Sequence, residues 1–225
     1  MAPAPHSQKD QWPVLSRNDW GDILELAKKK AYQRKFQIID VFVEIAANEG
    51  FHRVTHREIA NVCRISRSLV LHHFPSEEHL IGLTYRYVYA RFQKSAADAI
   101  STRKGALNQL RAYAESVARW TFERRADARF LSQFLALLQS RPQYLKLHAR
   151  NLQIGRERIA ALYRAGVTEG ELPRLDDTEI AKRAFSLQLQ LFGFLSVCSG
   201  GEDRELNDET RDEVVRSCLR ILTGP

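Results

Sequence analysis

At 225 residues and a net charge of +7, the chain is long enough to bury a sizeable core as one compact unit or two closely packed ones. Cys63, Cys198 and Cys218 stand far apart without a C-x-x-C pair, which fits neither a disulfide framework nor a zinc cluster and suits a reducing compartment. Residues 1–13 lack the apolar run of a secretory signal, and the longest uncharged stretch, 184–201, carries too much Ser, Gln and Gly for a membrane span, so a cytoplasmic location is expected.

Apolar residues recur at three-and-four spacing through most segments, with no internal repeat, so the expected fold is all-α. Residues 1–18 read as a loose, disordered tail, although Trp12 and Trp20 argue that part of this leader packs against the protein or a second copy of it. An extended first helix starts between Asp19 and Lys28, buries Ile38, Phe42 and Ile45, and stops at Gly50. Thr55 and Glu58 have capping-box spacing and open a short helix with Ile59 and Val62 turned inward. Ser66 caps a third helix ending near Phe74, and Ser76 caps a fourth that continues past Phe92. Further helices are expected at 104–124, 127–139, 142–166, 177–197 and 207–222, divided by Gly- or Pro-containing breaks.

Between Leu26 and Ser76 nine Lys or Arg face four acids, a local balance of +5 that fits a polyanionic partner. Residues 55–74 set two helices of about two turns around a connection at Arg64-Ile65, the dimensions of a DNA-reading helix-turn-helix. Ala60 is small where the helices cross, and Ile59, Ile65 and Val70 can fill the space between them. The third helix can then present Arg67, Ser68, Leu69, His72 and His73 to a major groove: Arg pairs with guanine edges, Ser and His bond bases or phosphate, and Leu touches a thymine methyl.

The series Ile38-Ile39, Phe42, Gly50-Phe51, Val54-Thr55, Glu58-Ile59-Ala60, Ile65-Ser66, His73-Phe74-Pro75-Ser76 and Leu80 resembles the TetR/AcrR family of bacterial helix-turn-helix transcriptional regulators. The resemblance implies a homodimer that places each third helix in a major groove of a double-stranded DNA operator. It also implies a C-terminal part that binds a small-molecule effector and controls the separation of the heads. By position it assigns Thr55 and His56 to backbone phosphate, and Ser66, Arg67, Ser68, Leu69, His72 and His73 to the groove. The expected layout is a helix-turn-helix DNA-binding domain at 19–80 and a helical effector-binding and dimerisation domain at 81–225. Three positions depart from the family pattern: Arg64 replaces a turn glycine, Leu71 a frequent Tyr, and Glu77 a frequent Lys.

Other groups have competing readings. Five histidines fall within 51–80, but no acidic or Cys partner stands at ligand spacing, so no metal is expected, nor any cofactor. Lys28, Lys29 and Lys30 suit either a DNA-binding arm or a solvated helix face. Ala184, Leu187, Leu191 and Leu195, with Val215, Leu219 and Leu222, suit a four-helix dimer interface or the core of a monomer. Tyr113, Trp120, Phe130, Phe134 and Tyr144 are candidate pocket residues, or plain core. No catalytic constellation stands at a defensible spacing, so an enzyme is not expected; the resemblance implies a repressor released by a small-molecule effector. The alternative is a helical sensor or interaction protein that has lost operator binding.

Overall fold

The computed structural model describes residues 19–200 and 208–224, so the tail expected at 1–18, with Trp12, lies outside the described residues. Among those described the regular structure is entirely helical, with ten α-helices: α1 Asp19–Lys28, α2 Gln33–Glu49, α3 His56–Cys63, α4 Arg67–His73, α5 Glu77–Ser101, α6 Ala106–Glu123, α7 Arg125–Ser140, α8 Leu145–Thr168, α9 Asp177–Gly200 and α10 Asp208–Thr223. The all-α class expected from periodicity is the class observed, with a helix-turn-helix at the N-terminal end and a helical C-terminal part.

The extended first helix is corrected. It is two helices, α1 and α2, separated at Lys29 and by a single 3-10 turn at Lys30–Tyr32. α1 lies across α5 and fully buries Ile23. α2 buries Phe36, Ile38, Ile39, Phe42, Val43 and Ala46 at three-and-four spacing against α5 and α7, and Gly50 ends it with φ 88°. Lys28, Lys29 and Lys30 therefore form an exposed knuckle between two packed helices rather than a free arm, and Lys28 is paired with Glu25 at 2.6 Å.

Each predicted cap is present. The Thr55, Ser66 and Ser76 hydroxyls accept from the backbone N–H of Glu58, Leu69 and His79 at 3.1, 3.2 and 3.1 Å. α6 is capped from a distance: the Ala106 and Leu107 amides donate to the Glu169 and Glu171 carboxylates, which follow α8. Two acids thereby sit at the positive end of α6 and satisfy amides that have no partner within the helix. α8 and α9 pack together with α6, and α10 covers α6 and α9.

That arrangement gives the apolar stripe of α9 to the chain's own core. Ala184, Leu187, Leu191 and Leu195, together with Val215 and Leu222 of α10, are buried in the single chain, and Leu219 is half-buried. The stripe offered to a twin is thus already covered by the same protomer. What α9 leaves outside is Phe185, Leu189 and Val197, exposed by 46, 56 and 73 %.

Candidate nucleic-acid interface

α3 and α4 are short, and neither buries enough apolar surface to be stable alone; their position is imposed by a few anchors. Ile59 and Ala60 on α3, Val70 on α4 and Phe74 just beyond it are almost fully buried. The His56 imidazole Nε2 bonds the Phe74 carbonyl oxygen at 3.2 Å and ties the start of α3 to the end of α4. Val62, expected inward, is instead 58 % exposed, because α3 is covered on one side only.

The turn between these helices closes through two backbone bonds, Ile65 N–H to the Ala60 carbonyl at 3.0 Å and Arg64 N–H to the Asn61 carbonyl at 3.2 Å. Such a Schellman closure requires a left-handed residue, and Arg64 supplies it at φ 53°, ψ 47°, the one positive-φ non-glycine among the described residues.

With Val70 locked inward, α4 exposes Arg67, Ser68, Leu71 and His72 and leaves Leu69 and His73 half-buried. The Ser66 hydroxyl lies 2.9 Å from that of Ser68 while also accepting the Leu69 amide, so Ser66 works first as a cap. Thr55 is exposed beside His56, and His56 is half-buried with one ring nitrogen engaged. Arg57 and Arg64 are exposed as well, and Arg57, Arg64 and Arg67 form no ion pair with the described residues. These arginines flank the motif as a cationic ridge; the first-turn placement of Arg57, next to a residue assigned to phosphate, is the signal that would have flagged it.

Glu77 does not stand alone against a polyanion. Arg141, at the end of α7, reaches Glu77 at 3.2 Å and Glu78 at 2.9 Å, and the Tyr144 hydroxyl donates to the Glu78 carbonyl at 3.1 Å. The first turn of α5 is therefore clamped to the α7–α8 connection. Of the other histidines here, His79 packs on Phe74, and burial, with Lys35 nearby, lowers its pKa.

A narrow cavity lies between α5, α6, α7, α8 and α9. Of the five candidate pocket residues only Tyr113 lines it. Trp120 meets Phe92 edge-on, Phe130 packs on Phe42 and Phe51, Phe134 stacks on Tyr85, and Tyr144 leans on Phe134, all as core. The polar lining is Tyr85, Tyr89, Tyr113, His148 and Gln188; Leu191 and Leu195, offered above to a twin, form part of its apolar wall. Only the packing of separate helices brings this set together, and no local pattern announces Tyr85, His148 or Gln188. Burial pushes the Tyr113 hydroxyl up to about 12 and lowers His148, so both are neutral near pH 7.

An all-helical protein that holds a helix-turn-helix at its N-terminal end, capped at each helix and edged with arginine, is the class this geometry defines. Residues 38–84 match the family model of bacterial regulatory proteins, tetR family. The HTH-type transcriptional regulator LuxR of Vibrio harveyi is 29% identical over 68 residues, which span 30% of this chain and 33% of that protein, so the likeness covers about a third of the relative's length. A transcriptional regulator from Rhodococcus sp. Rha1 superposes with a TM-score of 0.71 at 15% identity, covering 83% of this chain and 94% of that one. A regulator structure from Pseudomonas aeruginosa PAO1 does so at 0.70 and 20% identity, over 88% and 92%. The match to the tetR family of bacterial regulatory proteins is confined to residues 38–84, from α2 through the helix-turn-helix into the start of α5.

Proposed function

We propose that this protein is a sequence-reading DNA-binding transcriptional regulator that acts as a homodimer and represses until a small molecule enters its helical body. The observation that carries the reading is the exposure of Arg67, Ser68 and His72 on α4 while Val70 beneath them is fully buried, so that a rigid base presents a polar, cationic face. Arg57 and Arg64 beside it suit phosphate, which positions a head without reading sequence. Two such heads about 34–36 Å apart would meet successive major grooves. The cavity, at the far end of a Tyr85, Phe134 and Tyr144 stack from the Glu78 clamp, suits the effector. We place the division between head and body near residue 80, and the second copy against the exposed Phe185, Leu189 and Val197 of α9.

Fluorescence anisotropy against fragments of the source genome, at fixed salt, tests the core of this reading. Wild type is expected to bind some fragments at least about a thousandfold more tightly than random duplex. Arg67→Ala is expected to flatten that preference, at a cost of about 1–3 kcal/mol at the base it reads. Equal affinity for all duplexes would favour the second reading, a sensor of the same fold without an operator, which the exposed Leu71 supports by offering no hydroxyl to phosphate.

A further inference from the structure

The geometry points to a small, uncharged, mainly apolar effector bearing a single hydrogen-bonding oxygen that meets the Tyr113 hydroxyl. This rests on the reading of the cavity as the effector site and adds the chemical class it accepts.

Charge is the first argument. No Asp, Glu, Lys or Arg lines the cavity. An ionised ligand would have to leave water for a wall with no counter-charge, which is the costliest form of burial. Arg158, whose field reaches Tyr89 and Tyr113 and whose buried Nη1 is without a hydrogen-bond partner among the described residues, stands outside the lining.

Polar satisfaction is the second. The Tyr85 hydroxyl is 2.9 Å from His148 Nδ1, the Tyr89 hydroxyl donates to the Asn151 carbonyl, and the Gln188 amide donates to the Leu152 carbonyl while accepting from Arg156. Tyr113, 4 % exposed, has no hydroxyl partner among the described residues. Gly155 keeps this end open, since a Cβ there would stand 2.9 Å from Gln188 Nε2 and 4.0 Å from the Tyr113 hydroxyl. The cavity thus has one polar end with unmet hydrogen-bonding capacity and an apolar remainder.

Size is the third. The cavity is narrow, with a volume of ≈ 20 Å³, space for about one water. Leu135, His148 and Phe192 are its partly exposed members and must swing to admit a ring.

Titration calorimetry of the full chain with 4-propylphenol, propylbenzene and 4-propylbenzoate tests the class. The phenol is expected to bind, propylbenzene about tenfold more weakly for want of one hydrogen bond, and the benzoate at least about a hundredfold more weakly. Tyr113→Phe should bring the phenol down to the level of propylbenzene, and Leu135→Phe should abolish binding of both, with circular dichroism confirming that each variant is folded. A benzoate that binds as tightly as the phenol, a phenol indifferent to Tyr113→Phe, or no heat from any probe would overturn the proposal. DNA binding by the same preparation separates the two readings: duplex binding without phenol binding removes only the effector class, and phenol binding without duplex binding removes only the regulator.

Discussion

Arg64 holds a backbone conformation that a glycine would adopt without steric cost. A side chain at φ 53° costs about 1–2 kcal/mol relative to the right-handed region. In return the chain gains an exposed guanidinium at the elbow of the helix-turn-helix, beside Arg57 and Arg67. These two consequences can be measured apart. Arg64→Gly is expected to raise the unfolding free energy by up to about 1 kcal/mol, because glycine returns part of the steric gain as unfolded-state entropy. The same variant should weaken binding to all duplexes and reduce the slope of log K against log salt by about 1. A stabilised variant with an unchanged salt slope would show that Arg64 does not approach phosphate. That this residue stands left-handed is not readable from its identity, since arginine has no preference for the region; it follows from the Schellman closure its neighbours make. Thr55, Ser66 and Ser76, by contrast, announce themselves, because a cap is a local contact between residues three apart.

Between elements, Arg91 on α5 is the joint. It bonds Asp40 on α2 at 2.8 Å and Asp127 on α7, and so ties α2, α5 and α7 together. Asp127 is almost fully buried, and desolvation outweighs the attraction of Arg91 and Arg124, so its carboxyl titrates at about 6 against an ordinary 3.8. A carboxyl raised on folding stabilises the native state when protonated. That contribution is complete below about 3.8 and is lost as pH rises through about 6, with an upper bound of about 3 kcal/mol. Asp127→Asn should remove it: the difference in urea-unfolding free energy between pH 7 and pH 5 is expected to shift by about 1–2 kcal/mol relative to wild type. Parallel pH profiles for the two proteins would place the titration elsewhere. Element existence was legible here where Gly, Pro or a cap broke the pattern, as at Gly50 and Ser76. The separation of α1 from α2 was not, because it falls within Lys28-Lys29-Lys30, a run of good helix formers that is broken by the packing of α1 on α5.

For the whole molecule, the unsettled surface is α9. Its sequence is apolar on two faces, and periodicity alone cannot tell which face belongs to the protomer and which to a partner. The structure gives the Ala184, Leu187, Leu191 and Leu195 face to the core and cavity, and leaves Phe185, Leu189 and Val197 at four-residue intervals outside, with Gly193 completing the row. A row of that kind, interrupted by a residue without a side chain, lets a second helix approach closely. If two copies meet there, the heads act as one ligand for DNA, and the loss of the contact costs affinity without touching a reading residue. Leu189→Asp is therefore expected to convert a dimer to a monomer in analytical ultracentrifugation, with the helical signal and thermal midpoint little changed, since Leu189 is already exposed in the single chain. Duplex affinity should fall by at least about a hundredfold at constant salt, as bivalency predicts. The affinity of a single head for a half-site should stay the same. A variant that remains dimeric would move the interface to another face of the body and would leave the exposed row on α9 without a partner.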